Sequence, residues 1–376
     1  MSANSAKVIC GSTAIRALFQ IDRVTRGRFS SRIDRLRKKW EQATLAAALN
    51  PKPYPVSPDS RFEFHILNHE GGLNMTIACA QSLIRHFPAP ISLYFHCDRD
   101  FSTAASNRLK TQFPGAILIS RTEADAEAAR RQLHPEGRTF RNDGPFGLKS
   151  FDFHHFGKAP KLVGLDNDIL FIQPLDALRQ AFDQEGATTF FEDYLKQPGT
   201  MRYMGENGLE MIDHINSGLV VTDRLDTAAP AFREICAVIS NGFREKKCRP
   251  SCDQSLLSAY FHQRTPHRFF PRSYSCNLDT VQDFKSLHAA HFHSWSRYLF
   301  YSKGLPAACA AQGGDRRTRK RILPPVSKLR IPNRFYLWRY LAFLRAYPVL
   351  QRLGLGAKAG RLPDAFSSAR AHFLYQ

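Results

Sequence analysis

Long apolar runs are missing from this sequence. No stretch reaches the roughly 18 consecutive apolar residues that mark a membrane-spanning helix. Residues 1–30 hold no apolar segment behind a basic start, so no secretory leader is expected. A glycine-rich phosphate loop is missing too: Asn68-His69-Glu70-Gly71-Gly72-Leu73-Asn74, after the first expected strand, has neither the dinucleotide nor the P-loop spacing. No internal repeat is visible, which excludes solenoids and propellers. The 8 cysteines (Cys10, Cys79, Cys97, Cys236, Cys248, Cys252, Cys276 and Cys309) lack the regular spacing of a disulfide framework, and a chain of 376 residues needs none. Cys248 and Cys252 stand close together, but no second Cys/His pair follows at zinc-site spacing. Free thiols and a reducing, cytoplasmic setting are therefore expected.

Acidic residues are scarce as well: 33 Asp and Glu against 53 Lys and Arg, a net charge of +20. The excess is confined to the ends. Residues 1–50 carry ten Lys/Arg and three Asp/Glu, residues 301–376 carry fifteen and two, and residues 51–300 are neutral as a whole. A fold that binds nucleic acid usually carries the basic face itself, so nucleic acid is not the expected partner. Two basic arms on a neutral centre fit an enzyme domain held near something anionic, such as a membrane surface. Arms that only keep the chain soluble fit too. With 43% hydrophobic and 12% aromatic residues, the chain has enough apolar surface for a core.

Three regions follow. Residues 1–58 form a basic extension: a helix is expected over 30–48, then Pro51, Pro53, Pro55 and Pro58 make a stiff, extended linker. Residues 59–304 alternate strand and helix patterns. Strands are expected at 61–68, 91–97, 116–120 and 161–171, with helices at 74–86, 101–112, 123–132 and 146–156. That rhythm predicts an α/β domain with a mostly parallel sheet covered by helices on both faces, and ligands bound past the carboxyl ends of the strands. Residues 305–376 form a second basic extension.

The sharpest chemistry lies in Gly164-Leu165-Asp166-Asn167-Asp168-Ile169-Leu170-Phe171. An apolar run delivers two carboxylates at an expected strand end, and a second apolar run follows. Buried carboxylates need a partner or a cation. A hard divalent ion takes oxygen ligands and shares its remaining positions with water or phosphate. A Mg²⁺ or Mn²⁺ site for a diphosphate is one reading, and a surface turn with two solvated Asp residues is the other.

The longer segment LVGLDNDILFIQPLDAL resembles the metal-site strand of GT-A glycosyltransferases, above all glycosyltransferase family eight and its relatives. Three further pieces agree in order: Ile215–Val221 with the family's Asn-Ser-Gly strand, Asp253-Gln254 with its Asp-Gln element, and Ala290–Arg297 with its late His-x-x-Gly-x-x-Lys segment. The late segment departs in having Ser294 for Gly and Arg297 for Lys. Arginine keeps the charge and grips phosphate with two parallel donors.

The resemblance implies a GT-A fold, a nucleotide-sugar donor with UDP as the first choice, transfer to a hydroxyl with retention, and Mn²⁺ or Mg²⁺ as cofactor. It implies Asp166, Asp168 and His291 as metal ligands, with His288 and His293 nearby as alternatives in register. Lys149 lies where the family sets a basic residue against the donor, and Arg297 faces the departing diphosphate. Asn216 and Gly218 line the sugar pocket; near the base, where the family often has acidic or small polar residues, this chain departs in offering Asn68, His69 and Glu70. Asp253 and Gln254 lie by the anomeric carbon or the acceptor, Gln254 as a stabiliser rather than a nucleophile. Glu192 and Asp193 are candidates for binding sugar hydroxyls, though a solvated strand end explains them equally well. The insertion 195–213 is expected to shape the acceptor site.

The acceptor (sugar, lipid-linked or protein) has no signature. Within 333–353, aromatics, leucines and arginines mix in a pattern that suits an interfacial helix on an anionic membrane, or a helix packed on the catalytic domain. Peripheral membrane attachment is therefore a second expectation for location. The competing reading is a basic nucleic-acid- or membrane-binding protein on an inactive transferase fold.

Overall fold

The structure is a computed structural model. It describes Leu45 and residues 48–310, apart from 194–197, 246, 248–251, 263, 265, 279–280 and 294–295. The chain divides into two compact units, Met1–Ile322 and Leu323–Gln376; the second lies outside the described residues. So do nearly all of the helix expected over 30–48, the whole of 333–353, and Cys10 and Cys248.

In chain order the elements are β1 Glu63–Asn68, α1 Leu73–His86, β2 Ser92–Cys97, α2 Thr103–Gln112, β3 Ile117–Ile119, α3 Arg121–Arg130, α4 Pro135–Asn142 and α5 Pro145–His155. Then come β4 Lys161–Leu165, β5 Ile169–Phe171, α6 Asp176–Phe182, β6 Thr188–Glu192, α7 Pro198–Glu206, β7 Ile215–Asp223, α8 Pro230–Arg244 and α9 Cys252–His262. Strands β8 His267–Phe269, β9 Tyr274–Ser275 and β10 Ala289–His291 follow, and a helical segment over Arg297–Ala310 ends the described chain.

Seven strands form one sheet in the order β3-β2-β1-β4-β7-β6-β8. All its pairings are parallel except those of β7 with β4 and β6. One reversed strand in an otherwise parallel sheet matches the mixed α/β expectation. A second sheet, β5-β10-β9, adjoins it.

The single strand expected over 161–171 is two strands in two sheets. Both halves are apolar, so hydrophobicity alone does not show the break. Hydrogen bonds make it: Asp166 N donates to Gly218 O at 2.8 Å on the first sheet, and Phe292 N donates to Asp168 O at 2.9 Å on the second. The turn Asp166-Asn167-Asp168 is thus pinned from both sides. Helix α4, which hydrophobic pattern alone does not signal, begins with Pro135 at its first turn and His134 accepting from Gly137 N.

Packing decides the remaining differences. The proline-rich segment is extended but does not stand free, because Tyr54 and Val56 pack against the first core cluster. Leu305, Ala307 and Ala308 are buried with Leu170 and Phe292 in another cluster, so packing continues past the expected boundary at 304. In β1, the alternating Glu63 and His65 are as buried as Phe64 and Ile66. The polar face of this strand meets protein, not water. Among the described residues, no helix is long and apolar enough to cross a membrane.

Candidate active site

The carboxyl ends of β1 and β4 meet the amino end of β7, because β7 runs the other way. Here the chain gathers Lys149 from α5, Asp166 and Asp168 from the turn, Asn216, Ser217 and Gly218 from β7, Asp253 from α9, His291 from β10, and Arg297. The sequence places these residues far apart; topology makes them neighbours.

Asp166, Asp168 and His291 each point one ligand atom inward, and the three atoms lie within 4.8 Å of one another. His291 Nε2 stands 3.1 Å from Asp168 Oδ1 and 3.4 Å from Asp166 Oδ2. It is buried and has no hydrogen-bonded partner. The other ring nitrogen, Nδ1, donates to Asn216 Oδ1 at 2.8 Å. That bond selects the tautomer with a lone pair on Nε2, the form that ligates a metal. Gly218 N donates to the same oxygen at 3.0 Å, and Asn216 Nδ2 donates to Asp193 Oδ2 at 3.1 Å. Both ends of the Asn216 amide are therefore fixed.

Phe191 stacks on the His291 ring at 5.9 Å. A Cβ on Gly218 would collide with that ring, so glycine is required here for space. Near this point β7 leaves register with β6, whose Phe190 faces Val220 while Phe191 faces Asn216. The irregularity takes residues 217–219 out of that ladder. The Ser217 carbonyl instead accepts from Lys149 Nζ at 2.6 Å.

Lys149 is buried, not solvated. Its ammonium also donates to Asp166 Oδ1 at 2.7 Å and lies 3.2 Å from Asp253 Oδ2. Burial alone would pull Lys149 down, but Asp166 and Asp253 outweigh it and hold the ammonium above its ordinary value. Neither Asp253 oxygen has a hydrogen bond of good geometry. Arg297 Nη2 donates to Asp168 Oδ2 at 2.6 Å, with its side chain 45% exposed. One cation is therefore locked inside the cluster and one stands at its mouth.

Charge is balanced with a purpose that the distances make plain. Burial would raise Asp166 and Asp168; Lys149 and His291 hold the first below its usual range, and Arg297 and His291 hold the second well below. Burial pushes His291 down, yet Asp168 and Asp166 lift it to about 9. With no ion bound, the imidazole therefore carries a proton that neutralises the carboxylates. A divalent cation does the same and frees that proton. Two carboxylate oxygens and one imidazole nitrogen fit Mg²⁺ or Mn²⁺, with Nε2, which faces both carboxylates, as the third ligand atom.

The other sequence candidates lie nearby or apart. Gln254 is half-buried and follows Asp253 on α9. Glu192 is exposed at the end of β6, whereas Asp193 is buried against Asn216. Asn68 is buried; its Oδ1 accepts from Thr76 Oγ1 at 2.5 Å, and Thr76 Oγ1 in turn accepts from Asn167 Nδ2 at 3.4 Å. It braces the Asp166–Asp168 turn through Thr76. Part of the insertion, including Tyr203, Met204 and Ile212, joins a core cluster with Leu256 and Leu257. Sequence reasoning missed Ser217, which acts through its backbone, and the link from Asn216 to His291, which needs the fold. Five described cysteines, Cys79, Cys97, Cys236, Cys276 and Cys309, are free thiols.

No protein-family model matches the chain, and no curated protein matches its sequence. Solved structures do align with it. Mouse xyloside xylosyltransferase 1 covers 61% of this chain and 97% of its own, at 12% identity and a TM-score of 0.43. The galactosyltransferase LgtC covers 69% and 100%, at 12% identity and 0.42. The mannosyltransferase Ktr4p of S. cerevisiae covers 61% and 76%, at 12% identity and 0.41. All three are glycosyltransferases. The likeness is one of outline at this distance, so the chemistry is argued from the residues themselves.

Proposed function

We propose that this protein is a metal-dependent glycosyltransferase that moves a sugar from a nucleotide-diphosphate sugar, UDP-linked as the first choice, to a hydroxyl acceptor with retention. One observation carries the reading: Asp166, Asp168 and His291 converge within 4.8 Å, with His291 Nε2 facing both carboxylates at 3.1 Å and 3.4 Å. Asp166, Asp168 and His291 would hold Mn²⁺ or Mg²⁺, which when bound neutralises negative charge on the diphosphate leaving group.

The chain's own residues account for the rest. Arg297, half-exposed beside Asp168, can meet the diphosphate with a second positive charge as the glycosidic bond breaks. Lys149 fixes Asp166 and Asp253 in one geometry. Asp253 and Gln254 are assigned to the sugar side. Asn216 orients His291, a positioning role in addition to the sugar contact expected for it. An inactive scaffold would have no use for buried carboxylates held this close together. Contact with an anionic membrane is assigned to the basic segment 305–376, and salt-sensitive co-sedimentation with anionic vesicles tests it.

The reaction is tested by a donor screen with Mn²⁺ and a panel of nucleotide sugars, reading released nucleoside diphosphate with and without EDTA. Slow release from one donor, abolished by EDTA, is expected. Neither release nor donor binding by a folded protein would overturn the assignment.

A further inference from the structure

Next to the carboxylate cluster stands a second donor set of different character. Asp193 follows β6, Cys276 follows β9, and His293 lies just past β10. One oxygen, one sulfur and one ring nitrogen from these residues lie within 4.8 Å of one another. We propose that Asp193, Cys276 and His293 form a separate binding site for a borderline-soft divalent ion, Zn²⁺ by chemistry.

The donor set argues for the ion. Zinc takes thiolate, imidazole and carboxylate in one tetrahedral shell, whereas Mg²⁺ and Mn²⁺ favour oxygen. Three protein ligands leave the fourth position to water or a small ligand. On binding, the Cys276 Sγ–H proton passes to solvent and the thiolate replaces one water of the ion.

Geometry argues for a site that is held in place. Cys276 and Asp193 are 1% and 4% exposed. In the metal-free site the Cys276 thiol donates to the Glu192 carbonyl at 3.1 Å, which keeps Sγ beside the Asp193 backbone until the ion takes the thiolate. Asp193 N donates to His214 O at 2.6 Å, and Asn216 Nδ2 donates to Asp193 Oδ2. His293 packs with its ring centroid 4.9 Å from that of His291.

The two donor sets are neighbours with no shared ligand. Asn216 is bonded to one member of each, His291 and Asp193. The proposal does not depend on the reaction above, because its test reads metal binding and not sugar transfer.

The experiment is cobalt titration of the metal-free full-length protein. Co²⁺ bound by a thiolate gives a near-ultraviolet charge-transfer band that oxygen and nitrogen ligands do not produce. The wild type is expected to show the band, Cys276→Ser to lose it, and His293→Gln to bind Co²⁺ at least tenfold more weakly. Asp168→Ala should keep the band, since it belongs to the other site. Should Cys276→Ser fail to fold by circular dichroism, His293→Gln carries the test. Absence of the band in the wild type, its persistence in folded Cys276→Ser, or unchanged Co²⁺ affinity in His293→Gln would overturn the proposal.

Discussion

Two buried polar clusters sit at opposite ends of the same strands. At the amino end of β1, Glu63 accepts from Lys158 N at 2.6 Å, Ala159 N at 2.7 Å and Arg224 Nη2 at 2.6 Å. Arg224 also donates to the carbonyls of Ala159, Phe153, His154 and Phe156. Two ring nitrogens there, His65 Nε2 and His96 Nδ1, lack hydrogen bonds. Burial keeps both rings neutral, His65 down at about 4 and His96 well below its usual range. At the carboxyl end, His291 Nε2 and both Asp253 oxygens lack hydrogen bonds of good geometry, while His291 Nε2 and Asp253 Oδ2 are held at ion-pair distance from opposite charge. Burial alone therefore does not separate structure from chemistry. The distinction is whether the charged atoms are already satisfied.

The sharpest way to break this comparison is to delete a carboxylate at the open end. Asp166→Ala or Asp168→Ala should lower donor turnover by about 10³-fold, the several kcal/mol that metal and charge stabilisation supply. A folded variant retaining full turnover would contradict the site. At the closed end the effect reverses. Arg224→Ala strips Glu63 of its charged partner and should destabilise the fold by about 3 kcal/mol in denaturant titrations. The kcat of the surviving folded protein should stay unchanged.

Smaller changes sharpen the contrast. Asn216→Ala removes the bond that fixes the His291 tautomer, and calorimetry should find Mn²⁺ affinity weakened roughly 10–100-fold. pH gives the gentlest probe. His291 holds its proton up to about 9, and the ion must displace it. Mn²⁺ affinity should therefore rise with pH toward that value, by up to about tenfold per unit, with proton release seen in weakly buffered titrations. A pH-independent affinity between roughly pH 6 and 8 would place the ion elsewhere.

Much of this was legible in the sequence, and the gaps have physical causes. Strand and helix alternation showed the α/β sheet because each element has its own hydrophobic period. Asp166 and Asp168 stood out because carboxylates rarely interrupt an apolar run without a reason. The break between β4 and β5 stayed hidden since both halves are equally buried. The alternation of Glu63 and His65 with apolar neighbours showed a strand but not their burial, because alternation reports polarity and not what lies opposite. Asn216 was found by its motif, yet its bond to His291 spans two elements and two sheets that no local pattern connects. Lys149 was singled out by the resemblance, but only the fold shows it buried between Asp166 and Asp253.

The reversed strand β7 has a consequence for anyone redesigning the protein. Asn216 near its start serves the open cluster, and Arg224, one residue past its end, serves the closed one. The stretch between them acts as a ruler, and both marks must fall in place together. A one-residue insertion or deletion would turn every side chain beyond it to the opposite face, so it could spare one end only by ruining the other. This strand tolerates no change of length.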